Sequence, residues 1–391
     1  MKTIAILTAT RAEYGLLKPI IDALNKTDDF DVSVVVTGAH LSPEFGLTYK
    51  DIENDGIKIS KKIEILLSAD TPSAISKSMG LAMIGFADYF AESRPDALMV
   101  LGDRYETLAV CCAAMNARIP IIHLYGGETT EGAVDEAVRH AITKMSYLHF
   151  TSTEEYRKRV IQLGEAPERV FAVGGTGTEN ALKTQLLSKN ELEKSLDFHL
   201  DRDYAVVTFH PVTLEKNTAK IQFGELLKAL SKHSEMKYII TKTGADANGR
   251  IINKMIDEFA NTNGNVCAVS SLGLRRYLSA LKYCKMVIGN SSSGLLEAPS
   301  FKIPTVNIGD RQRGRIRAES VIDCAPVCEE ICQAIDTANS ADFIELARRV
   351  KNPYGDGDTS EKIVRILKDK IMNFTPDKLK KKFYDIDFKT E

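Results

Sequence analysis

Apolar runs that end abruptly in a polar or glycine-rich loop constrain this chain more than any other feature. Ala97–Leu101 runs into Gly102-Asp103-Arg104, and Pro120–Leu124 runs into Tyr125-Gly126-Gly127-Glu128. A continuous apolar run of this length, bounded by Gly and followed by a helical pattern, reads as a strand buried on both faces. Such strands belong to parallel sheets covered by helices, and ligands of open α/β sheets sit beyond the carboxyl ends of the strands. Asp103 and Glu128 stand at that edge, one strand apart in sequence, where two acids can do proton transfer on a bound small molecule. The plain alternative is that each acid caps the helix that follows it.

Strand-like and helix-like stretches alternate from end to end, which is the pattern of βα units. Strands are expected at residues 3–8, 32–37, 97–101, 120–124, 148–152 and 170–173, with helices at 14–25, 74–93, 106–116 and 135–144. A polar, charged stretch, 183–203, precedes a second series. It starts at Tyr204–Phe209, continues through a helix near 218–231, and has strands at 237–241, 285–288 and 304–307. A chain of 391 residues exceeds what one core supports, so two doubly wound domains are expected, 1–180 and 181–365.

Hydrophobic residues make up 44% and charged residues 27%, with a formal net charge of -2, which disfavours a nucleic-acid footprint. The Lys-rich stretch Lys378–Lys382 reads as the solvated face of a last helix. No apolar run approaches the ~20 residues needed to span a bilayer. Seven scattered cysteines without a Cys-x-x-Cys pair argue for a reducing cytoplasm. Cys324, Cys328 and Cys332 share a spacing of four and are read as core rather than as a metal site.

The first half places Arg11, Asp103, Glu128 and Asp135-Glu136 at strand ends. The second places His210-Pro211 and then Asn290-Ser291-Ser292-Ser293-Gly294 opening a helix. Short hydroxyl side chains and Gly let backbone N–H groups approach an anion, and a helix start adds partial positive charge. Glu297 suits that helix start and could accept from ribose hydroxyls, and Arg311, Arg313, Arg315 and Arg317 offer guanidinium groups for a diphosphate. No Gly-x-Gly-x-x-Gly follows the first strand and no P-loop exists, so a dinucleotide cofactor and NTP hydrolysis are disfavoured. No Asp-x-Asp pair follows a buried strand. His123 could join Asp103 and Glu128 on a cation by residue type, but inside an apolar run it reads as a hydrogen-bonded core histidine. Acids on one half and an anion cradle on the other suit a nucleotide sugar.

The motifs Thr-Ala-Thr-Arg11-Ala-Glu-Tyr14, Gly102-Asp103-Arg104, Gly126-Gly127-Glu128, Arg139-His140, Phe209-His210-Pro211-Val212-Thr213, Gly289-Asn290-Ser291-Ser292-Ser293-Gly294 and Arg311-Gln312-Arg-Gly314-Arg315 together resemble the hydrolysing UDP-N-acetylglucosamine 2-epimerases, with the bacterial sialic-acid-pathway type most alike. The resemblance implies the GT-B architecture, two Rossmann-like domains with the active site in the cleft, and a C-terminal helix, 366–391, packing back on the first domain. It implies that UDP-GlcNAc and water give UDP and N-acetylmannosamine, by elimination to a 2-acetamidoglucal and then hydration, with no cofactor or metal. It further implies an acid/base set of Asp103, Glu128 and Asp135, with His210 between diphosphate and sugar. Arg11, Ser291, Ser292, Ser293, Gly294 and Arg315 would hold the diphosphate, Glu297 the ribose, and Arg104 would be a further binding residue. Relatives are homodimers or homotetramers, with no nucleic-acid or membrane partner.

Two departures matter, the first for the role of Glu128 and the second for substrate. Some relatives carry Glu two residues after the motif His, where this chain has Tyr125. Relatives often have Asn where Gly244 stands in Thr243-Gly244-Ala245-Asp246. UDP-N,N'-diacetylbacillosamine or a GDP-linked analogue therefore stays open as substrate, as does a GT-B glycosyltransferase. A non-catalytic nucleotide-sugar sensor is disfavoured by the full set of acids.

Overall fold

The computed structural model describes residues 1–67, 71–129, 135–211, 218–243 and 249–387. The chain divides into two compact units. The first holds Met1–Glu128, Val134–Glu179 and Gly355–Glu391; the second holds Asn180–Tyr354 with Thr129–Ala133.

The first unit is built on seven strands: β1 Lys2–Thr8, β2 Phe30–Thr37, β3 Ile59–Ile63, β4 Ala97–Leu101, β5 Ile121–Leu124, β6 Leu148–Thr151 and β7 Val170–Ala172. They pair in parallel in the order β3-β2-β1-β4-β5-β6-β7. Because successive side chains point to opposite faces, each central strand feeds two cores. Ile4 and Ile6 of β1 enter a cluster with Leu17, Ile20 and Leu24 of the helix Arg11–Asn25 and with Ile363, Val364 and Leu367 of the helix Thr359–Lys370. Ala5 and Leu7 enter the opposite cluster, with Phe86 and Phe90 of the helix Pro72–Ser93 and Val110 of the helix Tyr105–Asn116. Helices on both faces explain why the central strands are apolar throughout.

The second unit repeats the plan with six strands: β8 Tyr204–Thr208, β9 Lys237–Thr241, β10 Val266–Val269, β11 Met286–Gly289, β12 Thr305–Ile308 and β13 Val321–Cys324. Their order is β10-β9-β8-β11-β12-β13, again all parallel. Tyr204 and Val206 pack on one side, Ala205 and Val207 on the other. At Gly289, with φ 136°, β11 lies so close to β8 that a Cβ would stand 1.9 Å from the Thr208 carbonyl oxygen. In each sheet the order reverses between β1 and β4 and between β8 and β11, the two places where adjacent loops diverge and leave room for a ligand.

Three strands were not legible as runs: β3, β10 and β13, each at a sheet edge or short and partly polar. The end of the chain also differs from expectation. The grouping with the first unit starts at Gly355, ahead of the expected 366, and the last α-helix stops at Lys370. Beyond it lies one 3-10 turn, Pro376–Leu379, and then irregular chain. Lys381 is therefore not on a solvated helix face. Its Nζ donates to the carbonyls of Lys144 and Ser146 at 2.9 and 2.8 Å and to Glu165 Oε2 at 2.7 Å. With Lys144 and His149 it surrounds the buried Glu165 carboxylate, whose pKa ends near 2: burial opposes the charged form, but the donated hydrogen bonds win. Of the helix-spaced cysteines, Cys328 is buried, and Cys324 and Cys332 are half-buried against the core of the second unit. Among the described residues no helix is long and apolar enough to cross a membrane.

Candidate active site

In the first unit, β4 and β5 end side by side at Leu101 and Leu124 and deliver Asp103 and Glu128 to the same sheet edge. Neither acid simply caps a helix. The helix after β4 has Arg104 at its N-cap and no side-chain cap, while Asp103 Oδ2 accepts from Arg139 Nη2. Arg139 is fully buried, an arrangement that a guanidinium tolerates only with its donors satisfied. Its Nη1 donates to Glu136 Oε2 at 2.7 Å and to the Glu128 carbonyl at 2.8 Å. Both Arg139 and Glu136 come from the helix Asp135–Met145, one turn apart. One buried cation thus gathers Asp103, Glu136 and the backbone of Glu128.

Glu128 is itself buried, and its Oε1 accepts from Ser152 Oγ at 2.8 Å, beyond the end of β6. The turn that carries it is tightly specified. Gly127 has φ 79°, and a Cβ there would stand 2.4 Å from the Tyr156 carbonyl oxygen; Arg159 Nη1 donates to the Gly127 carbonyl at 2.7 Å. Asp135 begins the neighbouring helix. Desolvation first, then the charge of Asp103, raises its carboxyl above the ordinary value, while Arg139 and Arg104 oppose the rise. Among the described residues, Asp103, Glu128, Asp135 and Glu136 are gathered at this edge, Asp103 and Glu136 paired with Arg139 and Glu128 held by it through its carbonyl. Sequence reasoning assigned acid/base roles to the first three, placed Glu136 beside Asp135, placed Arg139 in a motif without a role, and assigned none to Ser152. The signal present was the spacing of Asp135, Glu136 and Arg139 on one helical face.

His123 is a core histidine, as its place in an apolar run implied. Nε2 faces the Gly102 carbonyl at 2.9 Å and Nδ1 faces Thr143 Oγ1 at 3.2 Å. Burial lowers its pKa to about 3, so it stays neutral. Arg104 turns Nε to Glu106 Oε1 at 2.5 Å and lies close to Glu13. That commits part of its guanidinium to the protein's own buried acids. Arg11 is the first residue of its helix and is exposed, after a capping box in which Thr10 and Glu13 satisfy each other's backbone N–H.

In the second unit Asn290 is the organising residue. Its Oδ1 accepts from the His210 N–H at 2.7 Å and its Nδ2 donates to the His210 carbonyl at 2.8 Å. Its own carbonyl receives Arg311 Nη1 at 3.1 Å and Gln312 Nε2 at 2.9 Å. Three loops, after β8, β11 and β12, are therefore drawn together around one buried amide. Ser291, Ser292 and Ser293 follow directly, and Tyr277 donates to Ser293 Oγ at 2.6 Å. Gly294 is required by packing, since a Cβ would meet Thr305 Cγ2 at 2.6 Å. The helix that this loop opens is only one turn, Ser293–Leu296. A dipole that short contributes little, so any anion here relies on backbone N–H groups, hydroxyls and arginines. Glu297 Oε2 is buried with no partner among the described residues, and burial raises the carboxyl to about 7 against the pull of Ser293 and Arg315. Val212 and Thr213 of the His210 motif, and Gly244–Asp246, lie outside the described residues.

Two parallel α/β units of seven and six strands define a GT-B-like fold. The UDP-GlcNAc 2-epimerase from Neisseria meningitidis bound to UDP-GlcNAc superposes with a TM-score of 0.81 at 20% identity, over 95% of this chain and all of that one. A profile described as UDP-N-acetylglucosamine 2-epimerase matches residues 22–368, and the chain belongs to that family. It is 44% identical, over 88% of each chain, to the GDP/UDP-N,N'-diacetylbacillosamine 2-epimerase (hydrolyzing) of Campylobacter jejuni. It is 42% identical to the polysialic acid biosynthesis protein P7 of Escherichia coli, over 99% of this chain and 98% of that protein.

Proposed function

We propose that this protein is a hydrolysing 2-epimerase of a nucleoside-diphosphate 2-acetamido sugar, with UDP-N,N'-diacetylbacillosamine as the favoured substrate. The observation that carries the reaction type is the buried Arg139, which pairs with the Asp103 and Glu136 carboxylates and holds the Glu128 backbone beyond the ends of β4 and β5, with Asp135 on the same helix. The choice of sugar rests on the similarity to the C. jejuni enzyme, together with Gly244 standing where relatives often carry Asn. UDP-GlcNAc is the second reading, favoured by the near full-length similarity to a polysialic acid biosynthesis protein.

The chemistry has two stages. A base removes the C2 proton while the C1–O bond to UDP breaks, giving a 2-acetamidoglucal and UDP. Water then adds across the double bond, oxygen to C1 and a proton to C2 on the opposite face, and the free sugar has the manno configuration. Asp103, Glu128 and Asp135 form the acid/base set, and burial beside Asp103 makes Asp135 a weaker acid than a free aspartate. His210 stands between sugar and diphosphate. Arg11, Ser291, Ser292, Ser293, Gly294 and Arg315 bind the diphosphate, Arg104 is a further binding residue, and Glu297, with an oxygen that has no partner among the described residues, takes the ribose hydroxyls. The enzyme works in the cytoplasm as a homodimer or homotetramer.

The test is turnover in D2O with product NMR, UDP-N,N'-diacetylbacillosamine run beside UDP-GlcNAc. Deuterium at C2 of a manno-configured free sugar is expected, with faster turnover of the diacetamido substrate. Release of UDP without deuterium at C2 would overturn the reaction, and transfer of the sugar to an added acceptor would make the protein a glycosyltransferase.

A further inference from the structure

Tyr125 is an aromatic residue in the left-handed region, φ 67°, immediately after β5 and three residues before Glu128. Side chains other than Gly avoid this region, and a bulky residue persists there only where its surroundings leave no other choice. Here the surroundings are visible. Its N–H donates to the Phe150 carbonyl at 2.9 Å, which continues the β5–β6 pairing by one residue. Its ring lies against the sheet core. At the far end of the ring, the hydroxyl accepts from the Thr176 N–H at 2.8 Å and lies 2.9 Å from Thr176 Oγ1. Thr176 is the first residue of the helix Thr176–Lys183, so the phenol satisfies one of the orphan N–H groups of that helix start.

The hydroxyl is thereby held at two points, as acceptor from the Thr176 N–H and as partner of the Thr176 hydroxyl. Burial also pushes the phenol far above its ordinary value. Tyr125 is thus not a substitute proton donor for the Glu found at this place in other relatives. Its effect must pass through the backbone. With Gly127 also in the left-handed region, the two residues set the path that turns Glu128 toward Ser152.

We propose that Tyr125 is a positioning residue for Glu128, its hydroxyl clamp on Thr176 holding the left-handed turn that aims the carboxylate. The same clamp links the acid turn to the segment where the chain leaves the first unit, after Glu179. Glu179 in turn accepts from the Ser360 N–H at 2.8 Å and from Ser360 Oγ at 2.5 Å, on the segment where the chain has come back. The proposal rests on the 2-epimerase reading for its kinetic consequence, but not for its structural one.

Tyr125→Phe removes the clamp and keeps the ring. The expected result is a kcat lowered by about tenfold or more with KM changed less than twofold, since a misaimed catalytic group loses rate rather than binding. Thr176→Val leaves the backbone donor in place and should give a smaller loss in the same direction. Amide hydrogen exchange of residues 126–128 should quicken in Tyr125→Phe while exchange in β4 stays as in the parent. Unchanged kcat, or a loss carried by KM alone, overturns the proposal. If the parent protein shows no epimerase turnover, the reaction reading has failed and the exchange experiment alone decides: faster exchange at 126–128 upholds the clamp, unchanged exchange removes it.

Discussion

Arg139→Met is the sharpest test of the site, because the methionine keeps most of the buried volume and removes only the charge and its donors. Arg139 is 1% exposed and serves Asp103, Glu136 and the Glu128 carbonyl. Removing one partner of a buried ion pair costs about 3–5 kcal/mol. Asp103 and Glu136 retain 25% and 31% of their side-chain surface in water, so they can partly rehydrate. That brings the expected loss to roughly 2–3 kcal/mol, with the orphaned Glu128 carbonyl contributing about 1 kcal/mol of it. The kinetic effect should be larger in proportion, because the acids lose their common reference point. A displacement on the order of 1 Å costs about a hundredfold in rate. Arg139 also restrains the raised carboxyl of Asp135, so its removal lets that value climb further, and the limb of the kcat/KM profile that Asp135 sets moves to higher pH. Arg139→Lys should fall between, since an ammonium cannot serve three acceptors in the fork geometry. Urea unfolding measures the first quantity and UDP release across pH the second. A stability change under about 0.5 kcal/mol, within the range of an ordinary surface substitution, together with an unmoved kcat/KM profile across pH, would refute the hub.

Glu13→Gln tests a buried acid behind the Arg11 loop. Glu13 is 8% exposed and burial raises its folded-state pKa to about 7 from 4.5, so the folded protein binds its proton more tightly than the unfolded chain. The sign is then that stability is full below pH 4.5 and is lost as pH rises toward 7, by roughly 3 kcal/mol. The amide, which still accepts from Ala9 and Thr10, should match the parent at pH 5 and exceed it at pH 8 in thermal melts; equal stability at both contradicts the assignment. Gly127→Ala meets the Tyr156 carbonyl and should cost about 2 kcal/mol or more, whereas Gly102→Ala, with φ 76° but open space, should cost about 1 kcal/mol; equal losses in urea unfolding would contradict the packing argument. Tyr277→Phe frees Ser293 Oγ and should weaken UDP binding about three- to tenfold by calorimetry with little change in melting temperature, and unchanged affinity would remove Ser293 from the diphosphate site. Asp103→Asn and Glu128→Gln should abolish turnover while retaining UDP affinity; full turnover in both would remove them from the acid/base set.

Much of this was legible because it is local. The central strands β1, β4, β5, β8 and β11 are apolar runs, and a buried parallel strand leaves that trace whatever surrounds it. β3, with Lys61 and Lys62 exposed, and β13, with Asp323 exposed, carry no such trace, since an edge strand with a solvated side needs no apolar run. The tail after Lys370 was misread for a related reason. Its lysines fit a solvated helix by composition, and only the contact of Lys381 with Glu165, 216 positions away, shows that the segment is pinned as irregular chain.

The sequence by itself determined two parallel α/β series and the polar residues at the ends of their strands. Alternation, apolar runs and glycine turns act over a few residues and need no partner. Only the tertiary structure decided which of those residues meet. Asp103 and Arg139 are 36 positions apart, and the adjacency of β4, β5 and β6 puts them on one edge with Ser152 and Glu128. The buried guanidinium then fixes the acids as a set, because in a low-dielectric interior its charge and donors must be satisfied by whichever groups the strand order brings within reach.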